Sequence, residues 1–131
     1  MAVRSLRQEE ALERASLMSV SSYDIDIDLT DLVDGPAFRA VSTVRFAGTA
    51  GASTFVDCCA EVVSATLNGK PLPAAEEGRI ALADLAEENE LVVATVQSDT
   101  AHGRGVHRAV DPGDDNVYLW TTFEPDEARY A

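Results

Sequence analysis

Hydrophobic and polar positions change rhythm once near the start of the chain. Ser5-Leu6-Arg7-Gln8 fits a capping box, with Ser5 as N-cap and Gln8 reaching back. Glu9 and Glu10 fall in the first turn, where the helix dipole favours carboxylates. A short helix over about 6–18 is expected, with Leu12 and Ala15 on one face. Its amphipathy is weak, which places it on a surface rather than at the centre of a core. From Ser22 the period becomes two. Tyr23, Ile25, Ile27 and Leu29 alternate with Asp24, Asp26 and Asp28, the pattern of a half-buried strand with one acidic face.

Asp34-Gly35-Pro36 turns the chain, and alternation resumes with Phe38, Ala40, Val44 and Phe46 on one side. Gly48 to Gly51 breaks the run before Thr54-Phe55-Val56 restarts it. Val62 to Leu67 predicts a strand ended by Asn68-Gly69, the strongest hairpin signal in the chain. Pro71 and Pro73 then oppose regular ladder bonding. Glu77-Gly78 predicts a turn before a short strand, Arg79 to Leu82. Leu91 to Val96 is continuously apolar and Val-rich, as expected of a central strand. His102 to Asn116 has the glycine and proline content of a loop, Val117 to Phe123 predicts the last strand, and Pro125-Asp126-Glu127 predicts a helix start. Short strands with turn signals between them indicate a mainly β fold, an antiparallel sandwich or barrel.

Composition narrows the function classes. The chain has 131 residues, enough for one domain with its own core. Its net charge of −13 disfavours nucleic acid, whose phosphates require clustered Lys and Arg, and anionic lipid surfaces equally. Arg4, Arg7, Glu9, Glu10, Glu13 and Arg14 interrupt any apolar leader core, and no stretch approaches the length of a membrane span. Cys58 and Cys59 are neighbours and read as two reduced thiols, one of them buried, in a cytoplasmic protein.

Candidate chemistry is sparse. Asp24, Asp26 and Asp28 share the spacing that opens an EF-hand loop, but the sixth and twelfth positions hold Leu29 and Gly35 where Gly and Glu are needed. A solvated strand is the better reading. His102 and His107 lie five apart in the glycine-rich segment without a clear third ligand, so loop hydrogen bonding is expected rather than metal binding. No nucleophile elbow, phosphate loop or dinucleotide fingerprint is present. The residues describe a β-rich domain without a self-contained active site.

One segment points further. Gly105-Val106-His107-Arg108-Ala109-Val110-Asp111-Pro112, followed by Val117-Tyr118-Leu119-Trp120-Thr121-Thr122-Phe123-Glu124-Pro125 and Ala128-Arg129, resembles the aminopeptidase N family of zinc metallopeptidases. Bacterial members carry a G-L-H-R-x-x-D-P loop before a Y-L-x-T-Q-F-E-P-x-x-A-R strand-to-helix segment. The upstream order is similar too: Glu9-Glu10-Ala11, Tyr23-Asp24-Ile25, Thr54-Phe55-Val56-Asp57 and Leu67-Asn68-Gly69. The resemblance runs from about Ser5 to Arg129.

It implies an antiparallel β-sandwich or saddle-like sheet domain, with a short N-terminal helix and a truncated C-terminal helix start. Residues 1–131 would be a single N-terminal β-domain, with strands over about 22–123. The zinc site (His-Glu-x-x-His with a downstream Glu) and the Gly-x-Met-Glu-Asn exopeptidase motif lie in a following catalytic domain absent from this sequence. The implied cofactor, zinc, thus sits outside these residues, and the chain alone is expected to be inactive. The implied partners are that catalytic domain and the N-terminus of a peptide substrate. In the family the strand end contributes to the substrate cleft. Glu124 matches the acidic position that holds the free α-amino group, and Thr122 stands where the family has Gln. Residue reading alone makes Glu124 a helix-end carboxylate instead. Two classes remain open: a domain of a cytoplasmic zinc aminopeptidase, or a stand-alone non-catalytic β-sandwich that binds a protein or small ligand. The ending at Arg129-Tyr130-Ala131, without a capping signal, reads as a cut chain.

Overall fold

The computed structural model describes residues 5–98 and 105–123. Helix α1 (Gln8–Leu17) runs directly into strand β1 (Met18–Asp28), and a 3-10 turn (Thr30–Leu32) leads to β2 (Ala37–Gly48). There follow β3 (Thr54–Asp57), β4 (Glu61–Leu67), β5 (Lys70–Pro71), β6 (Arg79–Leu82), β7 (Glu88–Ser98), β8 (Gly105–Val110) and β9 (Val117–Thr122). All strand pairings are antiparallel. One five-stranded sheet has the order β1-β2-β7-β4-β5, and two two-stranded pieces, β3-β6 and β8-β9, accompany it. The fold is mainly β, as the alternation predicted, and no closed barrel forms among the described residues. The expected helix start at Pro125 lies outside the described residues.

Strand β7 lies between β2 and β4 at the centre of the sheet, with Leu91, Val93 and Thr95 buried on the inner face and Val92, Ala94 and Val96 half-buried on the outer one. Its neighbour β2 shows the predicted alternation, with Phe38, Ala40, Val44 and Phe46 all buried. Leu67 faces Leu91 and Ala65 faces Val93 on the other side of β7. Against this inner face β3 and β6 place Val56, Ile80 and Leu82, forming one core with Val44, Phe46, Leu67 and Leu85. A second core joins Leu32, Phe38 and Val106, with Ile27, Leu29 and Leu119 packed beside it. The inner face is thus covered at two ends by two different pieces.

Turn chemistry agrees with the sequence at two positions. Asn68 and Gly69 take φ of 52° and 80°, the paired positive values that close the β4-β5 hairpin. Asn68 also clamps the hairpin to β7: its Oδ1 accepts the Glu90 N–H at 2.8 Å, and its Nδ2 donates to Asn89 Oδ1 at 3.0 Å. Buried Asn89 in turn accepts the Ala86 N–H and donates to the Ala86 carbonyl. Glu77 and Gly78 form the second positive-φ turn, before β6.

Four expectations need correction. The N-cap is Arg7 rather than Ser5, and Glu10 rather than Gln8 reaches back, accepting the Arg7 N–H at 2.9 Å. Glu10 wins because the same carboxylate meets Arg79 of β6 at 2.7 Å, so tertiary pairing selects the cap. The first strand starts at Met18, not Ser22, because Met18 to Val20 find ladder partners in Phe46 to Gly48. Tyr23 and Ile25, expected to be half-buried, are 65% and 43% exposed: β1 is a sheet edge and its middle lies between the two covering pieces. Finally, residues 105–110 form a strand rather than loop, since β9 supplies a full ladder from Gly105↔Thr122 to Val110↔Val117. The acidic triplet Asp24, Asp26 and Asp28 lies on β1, so its spacing is that of a strand face and not of a calcium loop.

Helix α1 buries no residue and is held by charge and an aromatic ring. Arg79 donates to Glu10 and to Asp57, each at 2.7 Å, and lies 3.7 Å over the Phe55 ring. Arg14 lies 4.8 Å from the same ring. The hydrogen bond from Arg79, and then that from the Arg7 N–H, lower the Glu10 carboxyl from 4.5 to about 2. A depressed carboxyl contributes stability that is present above its unfolded value and is lost as pH falls through the folded one. Wild type should therefore lose helix docking between about pH 4.5 and about pH 2. Glu10→Gln should be less stable at neutral pH and should show a flatter decline across that window. Urea midpoints for both proteins over the window check this, and parallel curves would reject it.

Candidate functional site

The strand end singled out by the sequence is the last rung of the β8-β9 hairpin. Thr122 is half-buried there and faces Gly105, whose φ is 79°. Glu124, two residues on, lies outside the described residues, as does His102. The hairpin that leads to Glu124 is firmly anchored. Arg108 donates from Nε to the Leu32 carbonyl at 2.5 Å and from Nη2 to the Val33 carbonyl at 3.1 Å. It thereby satisfies carbonyls at the end of the 3-10 turn, which has none of its own helix left to bond them. Val106 and Leu119 pack into the core beside Leu32 and Phe38.

The other side of the hairpin is aromatic. His107 is buried and stacks on Trp120, with ring centroids 5.2 Å apart and planes 21° from parallel. Val110, Tyr118, Trp120 and Phe123 expose between 37% and 50% of their surface. The Asp111 to Asn116 turn is closed by its own polar groups: Asp111 accepts the Gly113 N–H at 2.7 Å, and the Tyr118 hydroxyl donates to Asp114 at 2.9 Å. Hydrogen bonds from the Asn116 backbone and side chain and from Tyr118 hold the Asp114 carboxyl below its ordinary value. The hairpin is a fixed support for whatever the next residues present.

A concavity away from the hairpin was not legible in the sequence. A cavity of about 500 Å³ opens on the inner sheet face between the two covered ends. Tyr23, Ile25, Ser42 and Thr95 form part of its floor, while Arg14 of α1, Val56 and Asp57 of β3, and Cys58 just after β3 border it. No local pattern announces it, because it exists only where β1 passes uncovered between two cores.

The described residues do not fit a zinc ion. Among them no three His, Cys, Asp or Glu side chains are grouped to hold a metal. Cys58 and Cys59 are both half-buried and are not joined in a disulfide, and burial pushes the Cys58 thiol up, away from the thiolate a metal requires. His107 is engaged with Trp120. No helix among the described residues is long and apolar enough to cross a membrane.

No family model matches the chain. Against individual proteins, it is 45% identical to Aminopeptidase N of Streptomyces lividans over an alignment of 131 residues, which covers 95% of this chain and 15% of that protein. The chain thus spans about 15% of the length of the curated relative it matches. The similarity reaches well beyond the β8-β9 motif, through the sheet whose strand order is given above. The chain is related to aminopeptidase N over nearly all of its length, and the match is consistent with the N-terminal domain of such an enzyme.

Proposed function

We propose that this chain is the single N-terminal β-domain of a cytoplasmic zinc aminopeptidase, an enzyme that removes N-terminal amino acids from peptides. The observation that carries the reading is the 45% identity to Aminopeptidase N across 95% of the chain. The lack of a disulfide between Cys58 and Cys59 accords with a reducing compartment.

An aminopeptidase must recognise an α-ammonium group, because that charge distinguishes a chain end from an internal peptide bond. A carboxylate recognises it through charge-assisted hydrogen bonds, stronger than neutral ones. Glu124 is the residue given that role, and Thr122 is given a contact to the substrate near it. The anchoring of β8 by Arg108 and of β9 by Leu119 supports the role, since a recognition group needs a backbone that does not move. Zinc and the hydrolytic step belong to a catalytic domain of the same chain, outside these residues. The β-domain contributes part of the cleft wall and no metal ligand.

Reading the coding sequence past Ala131 tests the assignment. An in-frame His-Glu-x-x-His is expected downstream, and a stop codon in its place would favour the stand-alone binding module. The purified 131-residue chain should release no reporter from leucyl or alanyl substrates, whereas the full product should do so in a chelator-sensitive manner. Chelator-sensitive turnover by the 131-residue chain would overturn the division of labour.

A further inference from the structure

We draw no further inference here: the strongest candidate, the largely apolar cavity of about 500 Å³ on the inner sheet face between α1, β1 and β3, carries nothing, because nothing in the structure shows what covers it.

Discussion

Glu124→Ala in the complete enzyme should lower kcat/KM by roughly thirtyfold to several thousandfold. This corresponds to about 2–5 kcal/mol, the cost of truncating one partner of a desolvated charge pair. The α-ammonium of the substrate is charged in both ground and transition states, so the loss should appear in KM as well as kcat. Glu124→Gln keeps a hydrogen-bond acceptor and removes only the charge, and it should retain part of the activity. Zinc content and thermal stability should be unchanged in both variants, because Arg108, Val106 and Leu119 hold the hairpin. Steady-state kinetics on an aminoacyl reporter, with metal content measured on the same samples, decides the matter. Unaltered kinetics in Glu124→Ala would return Glu124 to the role of a carboxylate at a helix start.

The second large effect concerns folding. Phe46→Ala should destabilise the chain by about 3–5 kcal/mol, the range for removing a buried aromatic ring from a packed core. Phe46 is 1% exposed and shares its core with Leu67, Ile80, Leu82 and Leu91, residues from three other strands. Removing its ring opens a void between the sheet and the β3-β6 cover that neither side can close alone. Tyr23→Ala is the informative contrast. It stands on the same sheet face but is 65% exposed, so its cost should stay within about 0.5 kcal/mol. Denaturant unfolding of the two variants measures the difference between a covered and an uncovered part of one face. Equal losses would mean that the middle of β1 is packed.

The two predictions concern different kinds of information. The sequence by itself determined the secondary structure of most of the sheet. Alternation at Phe38, Ala40, Val44 and Phe46 is a local consequence of the pleat: side chains at every second position share a face, and only one face is buried. Asn68-Gly69 and Gly78 were legible because Asn and Gly accept positive φ at little cost, whereas Glu77 takes it only as part of the turn with Gly78. The apolar run from Leu91 to Val96 marked β7 as a central strand, and it does lie between β2 and β4, although only its inner face is fully buried. The order of motifs from Glu9 to Arg129 carried the relationship to aminopeptidase N, which the comparison with the Streptomyces lividans protein supports.

Tertiary structure decided the rest, wherever the deciding contact comes from far along the chain. Ser5 and Glu10 are both able to cap α1, and the choice falls to Glu10 because Arg79, 69 residues away, takes the same carboxylate. The segment at Gly105 has the composition of a loop, yet it becomes a strand because β9 returns beside it with unsatisfied backbone groups to match. Arg108 carries no local sign of its function, which is to bond carbonyls at Leu32 and Val33. Tyr23 and Ile25 alternate as faithfully as Phe38 and Ala40 but remain exposed. Alternation establishes which face a residue shares, while burial of that face depends on what the rest of the chain lays over it.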